Sequence, residues 1–142
     1  MTFPPRRVLF VDDNEDARFI VATILERAGY EVRTAATSTE GLRLARAEVF
    51  DLYILDNRLP DRTGLELCRQ VREFDRQAPI VFYSGASREI DKQVAISAGA
   101  QAFLTKQVSA EELTATVGEL LLAGRPNSFI TIAGDGDAER QL

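Results

Sequence analysis

The stretch Leu52–Asp56 constrains the fold most strongly, because a run of apolar residues ends abruptly in a carboxylate. No polar residue alternates within the run, which is typical of a strand buried on both faces of a parallel sheet. A polar turn containing Pro60 and Gly64 follows it. Open parallel sheets place their chemistry at the carboxyl ends of their strands. We therefore expect Asp56 to lie at a functional edge of a sheet.

Strand and helix patterns alternate along most of the chain. We predict strands at 7–12, 30–35, 50–56, 79–84 and 102–105. Helical periodicity falls between them, and a capping signature at Ser109 opens a fifth helix. Five such βα units require right-handed crossovers. They predict an α/β, flavodoxin-like (βα)5 fold, a doubly wound parallel sheet with strand order 2-1-3-4-5.

The second helix illustrates how the helical faces are assigned. Either Ser38 or Thr39 can cap it. Its predicted apolar face contains Leu42, Ala45 and Val49, which recur at helical spacing. We expect these three side chains to pack against the sheet.

The chain length suits one domain, which we place at residues 6–123. From Gly124 the composition turns to Gly, Asp, Asn and Pro, and we predict a C-terminal tail or linker at residues 124–142. One apolar island, residues 129–132, interrupts this tail. Two other roles for the island stay open: an added edge strand, or a segment that docks on a neighbour.

Composition excludes several classes of function. The chain has no histidine, which excludes Ser-His catalysis and histidine-ligated zinc sites. Its one cysteine, Cys68, rules out an internal disulfide and favours a reducing, cytoplasmic location. A net charge of −5 argues against nucleic acid as a direct partner. No apolar stretch approaches the ~18 residues of a membrane span, so we expect no membrane partner.

Polar residues of complementary chemistry lie at the ends of four of the predicted strands or directly after them. Strands 1 and 3 are neighbours in this order, so Asp12, Asp13 and Asp56 should converge at one edge of the sheet. Three close carboxylates repel one another, and Mg²⁺ relieves this because it prefers oxygen ligands. Ser84 after strand 4 supplies a hydroxyl, and Lys106 after strand 5 supplies a positive charge. Together they are the parts that phosphoryl transfer to a carboxylate needs.

Each of these residues also has an ordinary structural alternative. Asp12 and Asp13 can cap the first helix, and Asp56 can belong to a plain turn. Ser84 and Lys106 are of types that are common on protein surfaces. The joint placement at strand ends is what favours a common site.

Four segments carry a resemblance to a known family: VLFVDDNE (8–15), DLYILDNRLPDRTGLEL (51–67), PIVFYSG (79–85) and AGAQAFLTK (98–106). With them the chain resembles the receiver domain of two-component response regulators, the CheY-like fold. The resemblance covers about residues 6–123, and the four segments together are highly specific.

The resemblance implies that Asp56 is the phosphoacceptor. It implies Mg²⁺ binding by the Asp13 and Asp56 side chains and by the backbone carbonyl of Arg58. Asp12 is expected to act on the ion mainly through water.

The resemblance also implies a switch. Ser84 and Lys106 are expected to hold the phosphoryl oxygens. Phe103, three positions before the lysine, is expected to turn inward when Ser84 moves toward the phosphoryl group. The surface of helix 4, strand 5 and helix 5 would then change shape. An ordinary core role for Phe103 is compatible with this.

The expected function is therefore that of a phosphoacceptor domain in a two-component phosphorelay. The donor would be a phosphohistidine on a histidine kinase or a phosphotransfer protein, docking at helix 1 near Arg18, Phe19 and Ala22. The output would be a downstream protein or an output domain of a longer chain, and a phosphorylation-dependent homodimer stays open. Beyond slow hydrolysis of its own aspartyl phosphate, no substrate turnover is expected.

Two other functions stay open. A Mg²⁺-dependent phosphatase working through an aspartyl phosphate usually has a second Asp two residues after the nucleophile, where this chain has Arg58. A receiver-like binding module that never uses phosphate usually lacks the acceptor or the acidic pair, and this chain has both.

Three residues depart from the family pattern. Gln107 stands where proline usually follows the lysine in a cis bond, and a cis bond before any other residue costs roughly 2.5–4 kcal/mol, so we expect a trans bond or a reshaped loop. Gly85 replaces the usual alanine and should open access to the site. For Arg58 three roles stay open: contact with the phosphoryl group, pairing with an acid such as Glu89, or exposure to solvent.

Overall fold

The computed structural model describes residues 4–85, 89–123 and 130–132. Its strands are β1 (Arg7–Val11), β2 (Glu31–Ala35), β3 (Leu52–Asp56), β4 (Ile80–Ser84), β5 (Ala102–Thr105) and β6 (Ile130–Ile132). Its helices are α1 (Glu15–Arg27), α2 (Ser38–Ala47), α3 (Gly64–Arg72), α4 (Glu89–Ser97) and α5 (Ala110–Ala123). Every strand and helix predicted from the sequence is present, and the strand boundaries differ from the predicted ones by at most two residues.

The strands form one parallel sheet in the order β2-β1-β3-β4-β5-β6. The first five strands have the predicted order 2-1-3-4-5, which confirms the fold class. β6 extends the sheet by one strand, so the structure shows the edge-strand role that was left open for the apolar island. Because β5, α5 and β6 follow one another as a βαβ unit, β6 lies parallel to β5.

Helices cover both faces of the sheet, and the core is divided into two apolar layers. α1 and α5 pack on the face that contains Phe10 and Ile54. α2, α3 and α4 pack on the face that contains Leu9 and Tyr53. Every residue of Leu52–Asp56 is buried, as the uninterrupted apolar run predicted. The buried run brings the Asp56 carboxylate to the carboxyl edge of the sheet.

The N-terminus of α2 differs from its prediction. The N-cap is Thr37, whose side chain accepts a hydrogen bond from the Glu40 N–H, and Ser38 is the first helical residue. The carboxylate of Asp61, in the loop after β3, accepts hydrogen bonds from the N–H groups of Ser38 and Thr39, each 2.9 Å long. The sequence pattern showed a cap near this point, but local preferences alone do not choose among three adjacent hydroxyl residues.

The predicted apolar face of α2 is partly wrong. Leu44 and Ala45 are the buried apolar residues of the helix, and Leu42 packs at the margin of the core. Val49 is 82% exposed. The helix ends at Ala47, so Val49 no longer follows the helical period that would turn it toward the sheet.

Within the described residues, no helix combines the length and the apolar character that crossing a membrane requires.

Candidate functional site

The sheet register brings the acidic residues together at its carboxyl edge. Val11 in β1 is the partner of Leu55 in β3, so the next residues, Asp12 and Asp56, lie side by side. Carboxylate oxygens of Asp12, Asp13 and Asp56 lie within 4.8 Å of one another. The convergence predicted from strand order is therefore present.

Two of these carboxylates are removed from solvent. Asp12 is 0% exposed and Asp56 is 6% exposed, whereas Asp13 is exposed. Hydrogen bonds from backbone N–H groups compensate the negative charge of these two carboxylates only in part. The Asn14 N–H donates to Asp12 Oδ1 at 2.9 Å, and the Arg58 N–H donates to Asp56 Oδ1 at 3.4 Å.

Lys106 supplies the positive charge of the site. Its Nζ lies 2.9 Å from Asp12 Oδ2 and 3.5 Å from Asp56 Oδ2. The contact with Asp12 is a close ion pair with a fully buried carboxylate. One ammonium group therefore faces two buried carboxylates.

Ser84 is fixed beside Lys106 by the backbone. It is the last residue of β4, it is buried, and its strand partner is Thr105. The Lys106 N–H donates to the Ser84 carbonyl oxygen at 2.8 Å. The ends of β4 and β5 therefore place the hydroxyl and the ammonium residue next to each other.

The charges of the site are poorly balanced. Burial and the neighbouring Asp12 carboxylate raise the pKa of Asp56 to about 6, against the opposing effect of Lys106. Burial lowers the pKa of Lys106, but the carboxylates of Asp12 and Asp56 outweigh it and leave this pKa raised. The ammonium is thus charged at neutral pH, while the ionised form of Asp56 is disfavoured. A further cation beside the carboxylates would relieve this imbalance.

The donor set fits a hard divalent cation. All the converging side-chain atoms are carboxylate oxygens, the ligands that such ions prefer. Asp13 is open to solvent, so an ion can reach the cluster, in which one ammonium group faces two buried carboxylates. Asp12, Asp13 and Asp56 can therefore hold a metal ion at this edge.

Gly64 fixes the loop that leaves Asp56. Its N–H donates to the Asn57 carbonyl oxygen at 3.0 Å. A Cβ atom at this position would lie 2.0 Å from the Asp56 carbonyl oxygen, so no other residue fits without moving the backbone of Asp56. From the sequence, Gly64 was expected only to close a polar turn. The close approach depends on how the loop folds back, which the sequence does not display.

Arg18 also contacts the site. Its Nη1 donates to the backbone carbonyl oxygen of Asp12 at 2.9 Å. From the sequence, Arg18 was expected only on a docking surface of α1. Asp12 precedes the helix, whose N-cap is Asn14, so helical spacing gave no signal for this contact.

Phe103 lies in the core beneath the site. Its side chain is fully buried, and its ring packs edge-on against Phe82 with the ring centroids 6.4 Å apart. The core role is thus observed, and the expected movement of Phe103 stays a prediction.

The three departures from the family pattern have different structural outcomes. The bond between Lys106 and Gln107 is trans, as expected for a residue other than proline. A Cβ atom at Gly85 would meet no atom within 4 Å, so sterics do not require glycine there. The Arg58 side chain is exposed, and the Glu89 side chain lies outside the described residues, so their pairing stays a prediction.

Comparison with known proteins gives a consistent result. The family model described as the response regulator receiver domain matches residues 8–118. PhoP, the alkaline phosphatase synthesis transcriptional regulatory protein of Bacillus subtilis (strain 168), is 36% identical over 116 residues, covering 82% of this chain and 48% of that protein. The transcriptional regulatory protein GltR of Pseudomonas aeruginosa is 36% identical over 118 residues, covering 82% of this chain and 49% of that protein. The chain thus spans about half the length of these curated relatives.

The similarity extends to solved structures. A CheY-like receiver domain protein from Methanospirillum hungatei JF-1 has a TM-score of 0.82 and 32% identity, with 84% of this chain and 96% of that chain covered. The chemotaxis protein CheY4 of Vibrio cholerae has a TM-score of 0.76 and 34% identity, with 82% and 98% covered. Sequence match, fold and acidic cluster agree, and the chain belongs to the response regulator receiver-domain family.

Proposed function

We propose that this chain accepts a phosphoryl group on Asp56 and uses it to switch a protein-interaction surface. The observation that carries the proposal is the placement of one buried carboxylate at the end of β3, between an acidic pair and Lys106. The donor would be a phosphohistidine on a histidine kinase or a phosphotransfer protein. The reaction would take place in the cytoplasm, and the output would belong to a downstream protein or to a further domain.

In the proposed reaction, an oxygen of the Asp56 carboxylate attacks the phosphorus atom of the donor. A P–O bond forms while the P–N bond to the imidazole breaks, and the imidazole nitrogen leaves with the electron pair. Mg²⁺, held by Asp13, Asp56 and the Arg58 carbonyl with Asp12 nearby, would neutralise negative charge on the carboxylates and phosphoryl oxygens when bound. The raised pKa of Asp56 supports this, because the site favours an added cation.

Lys106 is positioned to stabilise the product. Its ammonium already lies 3.5 Å from Asp56 Oδ2, and a phosphoryl group added to Asp56 would present further anionic oxygens within its reach. The Ser84 hydroxyl would donate to the same group from the end of β4. Both residues would thus stabilise negative charge that is present only when Asp56 is phosphorylated.

β5 connects this chemistry to the protein surface. It ends one residue before Lys106 and contains Phe103. A shift of Ser84 and Lys106 toward the phosphoryl group would change the packing around Phe103 and hence the face formed by α4, β5 and α5. This is the surface that we propose to change with phosphorylation.

α1 offers a surface for the phosphoryl donor. Phe19 is 71% exposed, and its neighbour Ile20 is exposed as well. Exposed apolar side chains beside a reactive site are typical of a docking surface. Arg18, on the same helix, joins this surface to the site through its bond to Asp12.

The direct test is phosphorylation by a small donor. Incubation of the full chain with acetyl phosphate and Mg²⁺ should add one phosphoryl group to the intact mass, whereas chelation of the metal or the substitution Asp56→Asn should abolish the addition. Asp51→Asn, immediately before the same strand, is the matched control and should still be phosphorylated. If the wild-type chain gains no phosphoryl group, or if Asp56→Asn gains one equally fast, the proposal is wrong.

A further inference from the structure

The carboxy-terminal strand β6 occupies the open edge of β5. Its register pairs Ala102 with Ile130, Phe103 with Thr131 and Leu104 with Ile132. β6 lies beyond residues 8–118, which match the receiver family model. It is therefore an addition to the part of the chain that defines the family.

Without β6, β5 would be an edge strand. Its other neighbour is β4, and successive residues of a strand direct their N–H and C=O groups to opposite sides. Half of the β5 backbone groups thus face β6. An unpaired row of such groups is a template for any extended peptide.

The pairing is short and tethered. β6 has three residues, and it begins seven positions after the end of α5. A strand of this length contributes few hydrogen bonds, and edge segments open more readily than central strands. The tether compensates for this, because a short connection gives an effective concentration on the order of millimolar. β6 is thus suited to cover the edge and yet to be replaced by a competing strand.

We propose that β6 is a built-in, displaceable cap on the β5 edge, which blocks the pairing of other extended segments with β5 until it is released. The signalling consequence rests on the proposed function, because β5 also contains Phe103 and leads directly to Lys106. The phosphorylation site and the edge that β6 covers are therefore both connected to the output face through β5.

The double variant Ile130→Asp/Ile132→Asp of the full chain tests the pairing, since aspartate disfavours strands and adds charge at the edge. Hydrogen exchange followed by NMR should show at least a tenfold loss of protection at alternate amides of β5. Amides of β1 and β3 should keep their protection. The matched control is Ala138→Asp/Leu142→Asp, which adds the same charge elsewhere in the tail and should leave β5 unchanged.

A probe strand tests the vacated edge. A synthetic peptide of residues 125–142 should shift the β5 resonances of the double variant at millimolar concentration and should leave those of the wild-type chain unchanged. Unchanged β5 exchange in the double variant, or equal peptide shifts in both chains, would overturn the inference. So would a loss of protection throughout the sheet, because β6 would then be an integral strand rather than a displaceable cap.

A phosphorylation assay tests the proposed function separately from the pairing of β6. Acetyl phosphate with Mg²⁺ should phosphorylate the wild-type chain and the double variant alike. Phosphorylation of both with unaltered β5 protection would overturn this inference and leave the proposed function intact. Loss of β5 protection with no phosphorylation of either chain would overturn the proposed function and with it the signalling role of the edge.

Discussion

Two partly buried cations lie at opposite ends of the same sheet. At the amino end, Arg72 donates to the carbonyl oxygens of Ala78 at 2.7 Å and Gly99 at 2.8 Å, and to Gln101 Oε1 at 2.7 Å. At the carboxyl end, Lys106 faces the carboxylates of Asp12 and Asp56. The first cation is held by neutral oxygens, and the second by charged ones.

The comparison shows that one end of the sheet contributes stability, whereas the other end carries the reactive groups. Arg72 ties the C-terminal end of α3 to the segments that enter β4 and β5, and its hydrogen bonds also satisfy partly buried carbonyl groups. In the Lys106 cluster, burial and the neighbouring Asp12 carboxylate raise the pKa of Asp56, and Lys106 offsets this only in part. Unbalanced charge of this kind is typical of functional sites, whereas a satisfied network is typical of a structural one. Substitutions at the two ends of the sheet should therefore have opposite effects on stability.

The largest expected effect on stability is at the amino end. Arg72→Ala should lower the free energy of unfolding by about 3 kcal/mol, because several partly buried carbonyl oxygens lose their donor. Urea denaturation measures this loss. The control Arg69→Ala, an exposed arginine on the same helix, should change stability by less than about 0.5 kcal/mol. Equal effects of the two substitutions would contradict a structural role for the Arg72 network.

At the carboxyl end, a substitution should raise the free energy of unfolding instead of lowering it. Asp56→Asn should raise the free energy of unfolding by about 2 kcal/mol in metal-free buffer at pH 7, because it removes a carboxylate whose ionised form is disfavoured in the fold. Asp13→Asn, the exposed member of the cluster, should have a smaller effect. Both are measured by urea denaturation, and a destabilised Asp56→Asn variant would show that the carboxylate is well compensated.

The stability difference between the wild type and Asp56→Asn should depend on pH, because folding raises the pKa of Asp56. The pKa of Asp56 rises from 3.8 to about 6 on folding, so the folded state binds the proton more tightly. Wild-type stability relative to Asp56→Asn should therefore decline as pH rises from about 4 through about 6. Below this window the two proteins should differ little. A constant difference across it would rule out ionisation of Asp56 as the cause.

Mg²⁺ should offset part of the free-energy cost of burying the Asp56 carboxylate. If the folded cluster holds the ion as we propose, Mg²⁺ at ten times its dissociation constant should stabilise the wild-type chain by about 1.4 kcal/mol. Asp13→Asn and Asp56→Asn should show less stabilisation, and Arg69→Ala should show the full amount. Thermal unfolding with and without Mg²⁺ measures the shift, and full stabilisation of Asp56→Asn would place the ion elsewhere.

The smallest effect concerns Asp61, which links the loop after β3 to α2. Its hydrogen bond from the Thr39 hydroxyl and those from the N–H groups of Thr39 and Ser38 lower its pKa to about 2. Asp61→Ala should cost about 1 kcal/mol at neutral pH. Because the folded-state pKa is depressed, this contribution should be present above pH ~4 and fade as pH falls toward 2. Arg62→Ala, its exposed neighbour, is the control, and both are followed by urea denaturation at each pH.

Much of the fold was predictable because its signals are local. The uninterrupted apolar run before Asp56 requires burial on both faces, and alternation with helices then requires a parallel sheet. The α2 face was harder, because Val49 fits the helical period but lies beyond the end of the helix. Where a helix stops depends on the chain that comes after it, which a periodic pattern does not report.

The candidate site was predictable as a set of residues but not as a set of contacts. Strand ends in a known order gave Asp12, Asp56, Ser84 and Lys106. The structural contact of Arg18 with the Asp12 carbonyl and the clash that requires Gly64 were missed. Both depend on backbone atoms that meet only after folding.

The sheet order and the residues at its carboxyl edge could be read from the amino-acid sequence, because both depend on short-range pattern and on the handedness of βαβ crossovers. How the charges of those residues interact was settled only in the folded chain. Lys106 and Asp56 are 50 residues apart in the chain and 3.5 Å apart in space, and burial beside Asp12 sets the pKa of Asp56. Folding also settled that β6 closes the edge of β5, because pairing of a short strand depends on a neighbour with unpaired backbone groups rather than on its own sequence.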